Sequence, residues 1–136
     1  MAANQIPVYT DVPVIGVGTT SLTGDTGYGG VGGTAPTTAV TVLSGSTNGT
    51  KIEEINVMPT GATEGGCVNI FLFDGTTYWL YDQVLFGTVA LAQTALQLVS
   101  NKQYPNLIIP SGWSLAVTVT VTQTAALVVQ ALGGTF

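Results

Sequence analysis

Between Trp113 and Val121 the chain reads WSLAVTVTV, an unbroken alternation. Trp113, Leu115, Val117, Val119 and Val121 fall on one side, and Ser114, Ala116, Thr118 and Thr120 on the other. Successive side chains of a strand point to opposite faces, so this period of two predicts a strand with one buried face. Other runs share the β character: TAVTVL (38–43), KIEEINVM (51–58), CVNIFLFD (67–74), TYWLYDQVL (77–85), ALQLVS (95–100), NLIIP (106–110) and ALVVQALG (126–133). Turn signals divide them: SGSTNG at 44–49, PTGATEGG at 59–66, DGTT at 74–77, NKQYPN at 101–106 and PSG at 110–112. Short strands at this spacing predict an all-β chain, a jelly-roll-like antiparallel β-sandwich of about eight strands. A length of 136 residues suits one such domain with a single sizeable core.

Two runs depart from plain alternation. In KIEEINVM the apolar positions Ile52, Ile55 and Val57 change parity across Glu53 and Glu54, and a β-bulge there restores one inward face. The stretch NIFLFDGTTYWLYDQVLF (69–86) is apolar on both faces on either side of its DGTT turn. A sheet with one wet face would alternate there, so the second face is expected to be covered. Phe71, Phe73, Trp79 and Tyr81 are the candidate subunit-interface residues, and Asp82 a candidate interface hydrogen-bonding group. Segment 87–99 fits a loop followed by a strand, while Leu91, Ala95 and Leu98 also match a helical period.

Residues 1–36 differ from the rest. They are punctuated by Pro7, Pro13 and Pro36 and crowded with glycine, which disfavours helix interiors and central strands. The expected division is an extended Gly/Pro/Thr-rich arm and loop at 1–36 and a β-sandwich domain at 37–136. Ile6, Pro7, Val8, Tyr9, Val12, Pro13, Val14 and Ile15 give the arm enough apolar surface to dock, and they are the candidate docking residues.

Charge excludes several roles. The chain has two Lys or Arg, seven Asp or Glu, no His and a net charge of −5. Nucleic-acid binding needs cations that displace phosphate counterions, and anionic membrane surfaces ask for the same. Neither partner is expected. With 7% charged residues against about 25% in ordinary soluble domains, the surface is weakly hydrated and suits coverage by copies of itself or a partner. The N-terminus carries no basic residue, so a secretory signal is not expected. VLFGTVALAQTALQLV (84–99) falls short of a membrane span and is interrupted by Gln93, Thr94 and Gln97. Cys67 stands alone, so neither an intrachain disulfide nor a thiolate metal site is expected.

Catalytic chemistry finds little footing. General acid–base work draws on histidine or on carboxylates in separated environments. Glu53 and Glu54 are adjacent in a strand and read as surface acids, pointing to opposite faces unless a bulge intervenes. GVGTTSLTG and GYGGVGG lack the Lys–Ser/Thr and the strand–helix context of phosphate loops. Asp25 alone cannot supply a calcium site, and no metal or cofactor is expected. Asp74 opens the DGTT turn and is expected to cap its amides. Tyr78, Trp79, Tyr81 and Trp113, with Asp82, Asn69 or Gln83 as polar partners, are the residues a sugar-stacking platform would use.

TKIEEINV, CVNIFLFDGTTYWLYDQV, NLIIPSGWSLAVTV and the C-terminal ALGGTF together resemble small proteins of tailed-phage and prophage genomes. Their pattern is an I-x-E-I strand, an F-L-Y/F-D-G-T-T-Y/W hairpin and an L-x-L/I-P-x-G-W-x-L strand. Ile52–Ile55, Phe71–Tyr78 and Leu107–Leu115 match it, within residues 50–136. The resemblance implies a virion structural protein, and within that class a capsid decoration (cement) protein rather than an enzyme. Such proteins commonly form trimers that bind the major capsid protein on the outer surface of the virion, after synthesis in the host cytoplasm. The competing expectation is a tail, fibre or baseplate module that recognises host glycans through the aromatic cluster.

Overall fold

The structure is a computed structural model and describes residues 10–90 and 100–136. These residues form eight strands: β1 (Val12–Thr19), β2 (Val40–Ser44), β3 (Thr50–Pro59), β4 (Thr63–Phe73), β5 (Tyr78–Val89), β6 (Ser100–Ile109), β7 (Ser114–Val119) and β8 (Leu127–Thr135). Sheet A has the order β1-β8-β3-β6 and sheet B the order β2-β7-β4-β5, four strands each. Every pairing is antiparallel. The pairs β1–β8, β2–β7, β3–β6 and β4–β5 nest like the limbs of one long hairpin whose tip is the β4–β5 turn. Folded over into two sheets, that hairpin is an eight-stranded jelly roll.

The tip is built by its own residues. The Asp74 carboxylate accepts from the backbone N–H of Thr76 at 2.8 Å and of Thr77 at 2.7 Å, and Gly75 takes φ +99°. A left-handed φ suits glycine. Behind the tip the two sheets close on one core. Ile52, Ile55 and Val57 of β3, Leu107 and Ile109 of β6 and Val129 of β8 meet Val68 and Ile70 of β4, Val84 of β5, and Leu115, Val117 and Val119 of β7. The bulge expected in β3 is present: Ile52 faces Gly133 and Glu54 faces Leu132, so Glu53 is the extra residue. It lets Ile52 and Ile55, of opposite parity, both be fully buried.

Two stretches depart from expectation. NKQYPN, read as a turn, lies inside β6. Sheet A ends at β6, and Tyr104–Asn106 form a second irregularity, since Ile52 faces Leu107 while Glu54 faces Gln103. An edge strand at a bulge tolerates Pro105 because no ladder donor is lost. β5 continues to Val89, so the loop expected from 87 begins later, and the strand expected at 95–100 lies outside the described residues apart from Ser100.

The boundary expected between 36 and 37 does not divide the fold. Val12–Thr19, expected in the arm, pairs with β8 from Val12↔Thr135 to Thr19↔Val128. β1 also closes the sandwich against β2. A Cβ on Gly16 would sit 2.7 Å from the Val42 carbonyl oxygen, so this edge needs a residue without a side chain.

Residues 24–38 form a strap across sheet B. Asp25 N–H donates to the Val119 carbonyl at 2.8 Å, at the far end of β7, and Gly30 N–H donates to the Tyr78 carbonyl at 2.7 Å, at the start of β5. β4 lies between those strands and the inner face is filled by core, so the strap crosses the outer face. Its limbs return on themselves, Gly29 N–H donating to the Thr34 carbonyl at 2.8 Å. Beneath it Asn69 and Phe71 of β4 and Thr118 of β7 are 0% exposed, and Ala116 is buried beside them. The Ala116–Thr118 side of WSLAVTVTV, expected to be wet, is therefore dry. The second face is thus covered from within the chain over β4 and β7, while Leu80 and Leu85 of β5 stay exposed on it.

Candidate functional site

With almost no charge to spend, function must rest on surfaces, and the surfaces follow from strand parity. In β1 the glycines Gly16 and Gly18 pack inward on Val42, so Ile15 and Val17 point outward. Ile15 is 67% exposed and Val17 56%. The cross-strand partner of Ile15 is Leu132, followed by Glu54 and Gln103 along the same row. The next row holds Val17, Gln130, Asn56 and Asn101. Sheet A thus presents an outer face that is apolar along β1, mixed at β8 and mostly polar at β3–β6. On the polar half the Asn101 amide donates to both Glu54 and Asn56.

Of the candidate docking residues, Val12, Pro13, Val14 and Ile15 lie in β1, and Ile6, Pro7, Val8 and Tyr9 lie outside the described residues. Val12 and Ile15 present apolar surface, but from an edge strand rather than a free arm.

The candidate interface residues separate. Phe71 is 0% exposed within the single chain and has no surface left for another subunit. It meets Tyr78 edge to face at 6.0 Å, and Phe73, half-buried, stacks on Tyr78 at 4.2 Å. Trp79 and Tyr81 stand 38% and 44% exposed. The Trp79 indole N–H donates to Asp74 at 3.1 Å, and Tyr81 packs on Tyr104 at 5.8 Å.

Asp82, expected at an interface, instead ties the two sheets together at the β5–β6 edge. It accepts from Lys102 Nζ at 2.8 Å, from Tyr104 OH at 2.9 Å and from the Gln83 N–H at 2.8 Å. Burial alone would raise its pKa, but the bonds from Lys102, Gln83 and Tyr104 and the Lys102 charge outweigh it and hold the carboxyl below its ordinary value. The Tyr104 phenol is pushed well above its ordinary value, first by burial and then by the Asp82 carboxylate.

The bulges shape one open cleft of about 540 Å³, lined by Lys51, Glu53, Glu54, Gln103, Tyr104 and Pro105. The extra residue brings Glu53 and Glu54 to one cleft, where a regular strand would send them to opposite faces. The two carboxylates are engaged, Glu53 with Lys51 at 3.4 Å and Glu54 with Asn101. Sequence parity pointed to the bulge, but not to the cleft, which also needs the irregularity at Tyr104–Asn106 on the facing strand. Among the described residues no three His, Cys, Asp or Glu side chains are grouped to hold a metal ion, and no helix is long and apolar enough to cross a membrane.

The strap was legible only as a glycine-rich loop. Its latch is Asp25, whose carboxylate accepts from the N–H of Gly27, Thr37 and Thr38 and from the Thr38 hydroxyl, each at 2.8 Å. Burial raises the Asp25 pKa and these bonds lower it, with a net lowering. Under the strap, Asn69 Nδ2 and Thr118 Oγ1 are buried without a hydrogen-bond partner, on cross-strand neighbours. Covering Phe71 is worth about 1.5–3 kcal/mol. Each stranded polar group costs about 1–3 kcal/mol. The closed strap is therefore held chiefly by its latches. No family model, curated protein or solved structure matches the chain.

Proposed function

We propose that the chain is a virion structural protein, a capsid decoration protein that assembles as a trimer through the β1 side of sheet A and binds a major capsid protein lattice. The observation that carries the reading is the pair Ile15 and Val17, apolar and more than half exposed on an edge strand. Natural edge strands are commonly blunted by charged side chains, and VPVIGVGT has none. Two further features support the reading. Both lysines are already paired, with Glu53 and Asp82, which leaves the surface nearly free of available cations. The jelly roll is also an architecture of viral capsid domains, and the hairpin and strand motifs resemble phage virion proteins.

The glycan-binding alternative has the exposed pair Trp79 and Tyr81 in its favour. Its polar partners are committed elsewhere: Asp82 to Lys102 and Tyr104, the Gln83 amide to the Asn69 side-chain oxygen, and Asn69 itself beneath the strap. Quantitative mass spectrometry of particles from the genome that encodes the chain separates these readings. Decoration is expected to give hundreds of copies per particle. A handful of copies would favour a tail or fibre module, and none would overturn the virion reading.

A further inference from the structure

We infer that residues 26–36 are a hinged cover, latched at Asp25 and at the Gly30–Tyr78 bond, that swings off the outer face of sheet B while both sheets stay folded. Four observations converge on it. The strap touches sheet B by backbone bonds only at its two ends, Val119 and Tyr78. It carries six glycines between Gly24 and Gly33, so its backbone gains much freedom on release. The N–H groups of Gly27, Thr37 and Thr38 all donate to the one Asp25 carboxylate, so a single group holds both limbs. The face beneath holds two buried polar atoms, Asn69 Nδ2 and Thr118 Oγ1, that closure leaves without partners and opening returns to water.

These features place the strap at the low-stability end of the molecule, while the β4 and β7 pairings beneath it belong to the high end. Opening uncovers Phe71 and Ala116 together with Asn69 and Thr118, beside the already half-exposed Phe73 and Tyr78. The second face of sheet B is thereby a conditional surface, available only when the latch is released. The inference stands apart from the decoration reading, since it concerns the opposite sheet.

Hydrogen exchange of the full chain tests it. The amides of Gly27, Gly29, Gly30, Thr37 and Thr38 are expected to share one protection factor, roughly 100-fold below that of Val68–Ile70 and Val117–Val119. Asp25→Asn is expected to speed all five, including Gly30 at the far latch, by about tenfold, the strap still exchanging ahead of the strand amides. Thr118→Val is expected to act oppositely and slow all five by about tenfold, because closure no longer strands a hydroxyl. A single protection factor common to strap and strands would overturn the cover, as would a Thr118→Val variant whose strap exchanges as fast as, or faster than, the wild type.

Discussion

Phe71 and Tyr78 meet edge to face, ring centroids 6.0 Å apart and planes at 81°, on the side of sheet B that points away from the core. Phe71 keeps no exposed surface there, because the strap from Gly24 to Thr38 lies over it. The jelly roll thus has two buried regions: the core between the sheets and a thinner one under the strap.

That arrangement separates two aromatic residues that look alike in sequence. Phe71→Ala is expected to cost about 3 kcal/mol or more in urea unfolding, as large-to-small changes at fully buried sites do. Trp79→Ala, at a 38% exposed position, is expected to cost about 1 kcal/mol or less. Equal costs would mean that Phe71 is not packed as described.

Acid sensitivity should centre on Asp25 and Asp82. Both carboxyls titrate below the ordinary value of 3.8 in the folded chain. Their contribution is present above that value and is lost as pH falls through the folded values. The melting temperature is expected to hold steady from about pH 5 upward with respect to these groups and to fall below about pH 4. Asp25→Asn and Asp82→Asn are each expected to be less stable at neutral pH and to show a shallower acid decline in thermal melts.

The alkaline limb has the opposite sign. Tyr104 is raised from 10.0, so unfolded chains ionise this phenol first and stability falls as pH rises above about 10. Tyr104→Phe is expected to lose about 1 kcal/mol at neutral pH, the net worth of the bond to Asp82, and to flatten that limb. Urea midpoints at two pH values check both effects.

Closure of the β1–β2 edge depends on Gly16. Any side chain there would meet the Val42 carbonyl at 2.7 Å and Leu43 Cβ at 2.8 Å. Gly16→Val is expected to part the edge and lower stability by roughly 2 kcal/mol or more, whereas the outward neighbour Val17→Thr should stay within about 0.5 kcal/mol. Circular dichroism melts of the two variants measure the difference.

Much of this fold was legible where apolar parity was strong. The shift across Glu53–Glu54 announced its bulge because Ile52 and Ile55 cannot otherwise share a core. β1 was hidden because Pro13, Gly16 and Gly18 are loop-forming by composition, although each is tolerated or required at a closing edge. NKQYP reads as a turn for a similar reason, and only an edge position with a bulge admits it into β6. The doubly apolar hairpin implied a covered face, and the structure covers it at Phe71 of β4 while Leu80 and Leu85 of β5 stay exposed. It could not reveal that a glycine-rich segment of the same chain provides the cover, since that depends on one carboxylate, Asp25, reaching amides 12 and 13 residues away. On the candidate surface, Ile15 was singled out with its setting misread, and Val17 was missed because a lone valine between glycines carries no periodic signal.

The central claim is that the apolar β1 face joins this chain to others. Sedimentation velocity of the full chain, compared with an Ile15→Lys, Val17→Lys double variant, tests it most directly. The wild type is expected to sediment at three times the 13.9 kDa chain mass, and the double variant as a folded monomer with an unchanged circular dichroism spectrum. A wild type that stays monomeric at tens of micromolar, or a double variant that still forms the trimer, would contradict the claim.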